Sequence, residues 1–183
     1  MKFFISIVAK NQNKVAKMRW FLMKIIFLDI DGVLNCLGCQ EKIQGCIFVE
    51  EKKIFLLKEL VDKTGAEIVL SSTWRYGWEC RDNIENPSPS QLQDIRLFEA
   101  LEERLAFCGI KLRGYTDDFG PRGKEIDAWL KAHFEENIES YVILDDMDAE
   151  ELQPHSHRLV QTSIFYGLEA KHIRKATKIL NCI

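Results

Sequence analysis

Apolar residues in this chain fall in short unbroken runs separated by stretches of helical period, and the alternation predicts strands and helices in turn. Lys24 to Leu28 is almost wholly apolar, as suits a strand buried on both faces. Residues 32–49 carry three glycines and no sustained period, so they read as a loop or small flap. From Glu50 to Lys63, Ile54, Leu57, Leu60 and Val61 make a stripe at helical spacing, and Gly65 is placed to end that helix. Glu67 to Ser71 gives a second strand, and residues 76–92, with Pro87 and Pro89, read as a loop. The next helix carries Phe98, Leu101 and Leu105 on one face and ends near Gly109; Ile110 to Tyr115 follows as a third strand. Gly120-Pro121 opens a helix whose apolar face is Ile126, Trp129, Leu130 and Phe134. Tyr141 to Leu144 is a fourth strand, Leu159-Val160 a short one, and a last helix carries Ile173, Ala176 and Leu180.

This order predicts an α/β fold: a Rossmann-like open, mostly parallel sheet with helices on both faces. Residues 23–183 read as one domain, without internal repeats. Residues 1–22 read as a dispensable N-terminal extension. They hold Lys2, Lys10, Lys14, Lys17 and Arg19 and no acid, and Met23 stands directly before the first strand.

Composition narrows the partners. A net charge of −3 argues against general duplex binding, yet permits a small phosphorylated molecule, a nucleotide or a nucleic-acid end. No apolar run approaches the roughly 18 residues of a membrane span. Six cysteines without a clear secretory signal suggest reduced thiols and a cytoplasmic setting. Cys36, Cys39 and Cys46 lie close in sequence, with Cys80 as a fourth candidate. Lacking a histidine and a second CxxC, they read as unpaired loop thiols rather than a zinc site. His155-Ser156-His157 has metal-ligand spacing but no partners, and reads as a surface loop.

The chemistry is concentrated in two acidic pairs, Asp29/Asp31 and Asp145/Asp146, each at the carboxyl end of an apolar strand. Ligands of open α/β sheets bind at that edge. With both strands central, four carboxylates converge, and each like-charged pair at about 4 Å costs roughly 4 kcal/mol at an effective dielectric of 20. Such a cluster calls for a cation, and an all-oxygen donor set favours Mg²⁺. One carboxylate can attack phosphorus, while its neighbour two residues on protonates the leaving oxygen and later activates water. A calcium loop is excluded, because Leu34 stands where its sixth-position glycine is needed and Gln40 where its twelfth-position glutamate is needed. There is no Walker loop and no GxGxxG.

Asp29-Ile30-Asp31-Gly32-Val33-Leu34-Asn35 resembles the first motif of the haloacid dehalogenase-like (HAD) superfamily. Val69-Leu70-Ser71-Ser72 is similar to its second, Arg122-Gly123-Lys124 to its third and Leu144-Asp145-Asp146 to its fourth, all in order. More narrowly, Ser71-Ser72-Thr73-Trp74-Arg75, Arg122-Gly123-x-Glu125-Ile126-x-x-Trp129-Leu130 and Gly167-Leu168 resemble HAD domains associated with bacterial RNA-repair proteins. The resemblance implies a Mg²⁺-dependent phosphatase that is capless or nearly so. In it Asp29 is the nucleophile forming an aspartyl-phosphate, Asp31 the general acid/base, and Ser71 a donor to a phosphoryl oxygen. Arg122 or Lys124 supplies a cation. Asp29, Asp31 through its carbonyl, and Asp146 hold the metal, with Asp145 behind them. Ser72, Trp74 and Arg75 lie beside the site as substrate-binding candidates, Trp74 either stacking a base or packing in the core. The alternatives are a HAD-like binding or regulatory module without turnover, and a phosphotransferase.

Overall fold

The computed structural model describes residues 22–182; the extension expected over residues 1–22 lies, but for Leu22, outside them. Five parallel strands form the main sheet: β1 (Met23–Leu28), β4 (Glu67–Leu70), β5 (Leu112–Tyr115), β6 (Ile138–Asp145) and β7 (Leu159–Gln161). Their spatial order is β5-β4-β1-β6-β7. The chain therefore runs outward from β1 through β4 to β5, then returns to the other side of β1 as β6 and β7. That reversal puts a topological switch between β1 and β6, where the carboxyl ends of the strands diverge and leave a crevice.

Both faces of β1 are buried, and successive side chains are shared between two layers. Ile26 and Leu28 pack with Ile68, Leu70, Val142 and Leu144 beneath three helices: α1 (Glu51–Thr64), α3 (Pro89–Phe107) and α5 (Ala170–Asn181). Ile25 and Phe27 pack with Val69, Ile143 and Leu159 against the opposite layer, where α4 (Arg122–Ala132) contributes Ile126 and Trp129. Phe27 meets Trp129 edge-on at 5.4 Å between ring centroids. Gly65 ends α1 in the left-handed conformation, φ 67°, as its position predicted.

Two segments depart from the expected pattern. Residues 76–92 are not a continuous loop. Helix α2 occupies Arg75–Asn83, and α3 begins at Pro89 behind a capping box of Ser88 and Gln91. Pro89 starts a helix here instead of breaking one, since the first turn needs no partner for its missing N–H. Phe134 does not lie on the apolar face of α4; the helix ends at Ala132, and Phe134 sits exposed in a following 3-10 turn. The flap expected over 32–49 is small: a two-stranded hairpin, β2 (Lys42–Ile43) and β3 (Cys46–Ile47). Among the described residues no helix is long and apolar enough to cross a membrane.

Candidate active site

The sheet ladder continues one residue past several strands and sets their successors side by side. The Asp29 N–H donates to Leu144 O at 2.9 Å, Ser71 N–H to Leu28 O at 2.8 Å, and Thr116 N–H to Leu70 O at 3.0 Å. Asp29, Ser71 and Thr116 thus stand in a row at one edge, beside Asp145, which closes β6.

Directly after Asp29 the chain turns back. Ile30 O accepts the N–H groups of Val33, Leu34 and Asn35, and Gly32 takes φ 69°. A Cβ on Gly32 would lie 2.2 Å from Asp146 Oδ2, so glycine is what lets that carboxylate come in. Thr162 Oγ1 donates to Gly32 O at 2.7 Å and ties the turn to the chain beyond β7.

Asp29, Asp145 and Asp146 each offer a carboxylate oxygen within 4.8 Å of the others. Arg122, at the start of α4, donates from one terminal nitrogen to Asp145 Oδ2 at 2.8 Å and to Asp29 Oδ1 at 3.4 Å. Burial, then the neighbouring Asp145 charge, push Asp29 up to about 8; Arg122 pulls the other way. Ser72 also favours the Asp29 carboxylate, although its hydroxyl makes no well-formed hydrogen bond. Burial likewise raises Asp145 and Asp146. A divalent cation would oppose all three shifts, and the donor set, carboxylate oxygen throughout, is the kind Mg²⁺ takes.

The fourth carboxylate is not in this cluster. Asp31 is exposed; its Oδ1 accepts from Asn35 Nδ2 at 2.7 Å, and its Oδ2 accepts from the Trp74 indole N–H at 3.0 Å. The turn at Gly32 ends the strand geometry on which an i, i+2 alignment depends, so three carboxylates converge instead of four.

Ser71 and Ser72 are buried with hydroxyls that have no hydrogen-bond partner among the described residues, as is Thr116. Trp74 is buried and packs against Phe48 at 6.1 Å between ring centroids. Arg75 departs from the expectation of a substrate contact. Its side chain is only 2% exposed and pairs with Asp118 at 2.9 Å and Glu125 at 3.4 Å. Lys124 is exposed, while Arg122 reaches the cluster.

The family model described as "HAD domain in Swiss Army Knife RNA repair proteins" matches residues 25–173. The chain belongs to this family. No match emerged among curated proteins or solved structures. The family suggests HAD-type phosphoesterase activity, and HAD enzymes generally use Mg²⁺.

In this HAD domain, two residues to which the sequence alone assigns no role touch the candidate site residues. Asn35 orients Asp31 and accepts the Gly32 N–H at 3.0 Å; its position four residues after Asp31 in a tight turn is the signal that marks it. Glu125, buried, lies between Arg75 and Arg122. His155, expected on the surface, is buried and shares a 2.7 Å hydrogen bond with Tyr141 on the α4 side of the sheet. The expected loop thiols Cys36 and Cys39 are buried, with sulfurs 3.1 Å apart and Glu50 beside them. Cys46 is exposed, and neither it nor Cys80 belongs to that group.

Proposed function

We propose that this protein is a Mg²⁺-dependent phosphatase that hydrolyses a phosphomonoester through a covalent aspartyl-phosphate on Asp29. The observation that carries the reading is the convergence of buried Asp29 and Asp145 with half-buried Asp146, Arg122 bridging the first two, at the carboxyl edge of β1 and β6. Asp29, the Asp31 carbonyl and Asp146 would hold the metal, with Asp145 oriented behind them by Arg122 and by the Met147 N–H at 3.0 Å. Bound there, the metal would offset charge on the phosphoryl oxygens.

The Asp29 carboxylate attacks phosphorus, the bond to the leaving oxygen breaks, and Asp31 gives that oxygen a proton. Asp31 then takes a proton from water, whose oxygen attacks phosphorus and releases inorganic phosphate and free Asp29. Asn35 and Trp74 hold the Asp31 carboxyl in place for both transfers. The unpartnered Ser71 hydroxyl is free to donate to a phosphoryl oxygen, with the Ser72 hydroxyl alongside. Arg122 supplies the third-motif cation, and Lys124 does not.

The small β2–β3 hairpin leaves the entrance open to substrates larger than a free metabolite. With the RNA-repair setting of the family, that favours a nucleotide or a nucleic-acid end.

The test is phosphate release from p-nitrophenyl phosphate with Mg²⁺. Wild type turns over, and Asp29→Asn, with an unchanged circular dichroism spectrum, falls to background. Retained turnover in Asp29→Asn rules out the nucleophile.

A further inference from the structure

Beside Asp31, and outside the carboxylate cluster, lies a cleft of about 390 Å³. Trp74 and Tyr76 form one wall where α2 begins, Leu97 and Phe98 of α3 a second, and Ile47 of the hairpin a third. We infer that this cleft seats the base of an unpaired terminal nucleotide, so that the enzyme reads the nucleobase of the end it dephosphorylates. The inference rests on the phosphatase reading and adds to it the residues that select the leaving group.

Three observations lead there. The first is continuity. Asp31 lines the cleft and accepts the Trp74 indole N–H at 3.0 Å. A leaving oxygen that takes its proton from Asp31 therefore belongs to a group at the mouth of this cleft. The second is the chemistry of the walls. Aromatic and aliphatic side chains around a space within the roughly 300–1,000 Å³ of small-molecule sites suit a flat apolar ring. A base can stack on Tyr76, which is 39% exposed although aromatic.

The third is charge. The lining residues include two carboxylates, Asp31 and Asp94, and no lysine or arginine. A second phosphate would meet like charge there. A neutral ring bearing N–H donors would meet acceptors, as when an acidic side chain accepts from a cytosine amine. The cleft thus takes the base and not the backbone, which must leave along the open side. A single base enters, so the end is unpaired.

The wall is stiff enough to select. Trp78 stacks on Phe98 at 5.1 Å and 24°, and Gly77 brings α2 against α3.

The experiment measures adenosine binding to the full-length chain by calorimetry, with ribose as control. Adenosine carries no phosphate, so the binding arm is independent of turnover. We expect adenosine to bind and ribose not to bind. Leu97→Trp, which fills the cleft, should weaken adenosine at least about tenfold, and Tyr76→Ala should weaken it by about the same factor, near the lower end of what base–aromatic stacking carries. Both variants must keep the wild-type circular dichroism spectrum. In the catalytic arm, the ratio of kcat/KM for adenosine monophosphates, 3′ and 5′, to that for ribose 5-phosphate should fall by about tenfold in Leu97→Trp.

Adenosine binding no tighter than ribose overturns the inference, as does unaltered adenosine binding in both variants. So does a phosphotyrosine peptide displacing adenosine and serving as the better substrate, since the cleft would then hold a phenol ring. Adenosine binding that both variants weaken, without phosphate release from any substrate, would support the base site and refute the phosphatase reading.

Discussion

Arg122 and Lys124 flank the same glycine, and sequence alone leaves both in reach of the strand edge. In the fold, Arg122 bridges Asp29 and Asp145, while Lys124 points to solvent. Removing the Arg122 guanidinium should cost about 10²–10³ in kcat/KM, the scale of losing one preorganised charge-stabilising donor. Lys124→Ala should stay within about twofold, and steady-state kinetics on one substrate separates the two. Asp31→Asn makes a sharper test of chemistry. With an alkyl phosphate kcat/KM, which reports the steps through departure of the leaving group and not the later attack of water, should fall by roughly 10²–10⁴, the usual contribution of a general acid. With p-nitrophenyl phosphate kcat/KM should fall less, because that leaving group departs without a proton; equal losses of kcat/KM on both substrates would remove Asp31 from the acid role. At this scale Asp29, Asp145 and Asp146 were legible because each follows an apolar run, and a buried strand that ends in acid names its own edge. Arg75 was not legible. Its neighbours in sequence place it beside the site, but its partners Asp118 and Glu125 arrive from the loop after β5 and from α4. Only the folded chain turns it inward.

Between β4 and β5 the chain builds a helical hairpin, and here a reading by composition failed. Pro87, Ser88 and Pro89 look like loop residues, yet Ser88 accepts the Gln91 N–H while the Gln91 side chain accepts the Ser88 N–H. Turn residues and helix-cap residues are the same residues, and only the periodicity of the next dozen positions tells one from the other. Ser88→Ala should cost about 1 kcal/mol by urea denaturation, the usual worth of a cap. Gly77 carries a larger consequence. A Cβ there would lie 2.2 Å from Asp94 O and 2.5 Å from Phe98 Cβ, and backbone cannot rotate aside. Gly77→Ala should therefore separate α2 from α3 and lower stability by about 1–3 kcal/mol, the range for overpacking. A denaturation midpoint equal to wild type would show that the helices have slack. The strands were legible as unbroken apolar runs because both faces of the sheet are buried, and the α1 stripe because one face of that helix packs on the sheet. The α2 segment has only Arg75 and Gly77 fully buried, so no apolar period announced it.

Taken whole, the molecule carries an electrostatic tension at its centre. Folding raises the Asp29 pKa from 3.8 to about 8, chiefly by burial and by Asp145. A carboxyl that holds its proton more tightly folded than unfolded favours the fold below pH 3.8 and loses that contribution as pH rises toward 8. In metal-free buffer, Asp29→Asn should thus melt above wild type at pH 8, and the two should converge near pH 4. Differential scanning calorimetry at the two pH values checks this; a variant that melts below wild type at pH 8 would show that Asp29 is stabilised by its surroundings. Magnesium should narrow the same gap by raising the wild-type melting temperature, since a ligand that binds only the native state stabilises it.

The order β5-β4-β1-β6-β7 also sets when the carboxylate cluster can first assemble during synthesis of the chain. A ribosome delivers β1, β4 and β5 in that sequence, and these can pair as they emerge. Asp145 and Asp146 come more than a hundred residues after Asp29, so a nascent chain holds Asp29 long before the carboxylates that converge on it. Until β6 arrives, the β1 edge is open and apolar, a surface for chaperones or for a wrong strand. The cluster is completed in one late step, when β6 docks against β1.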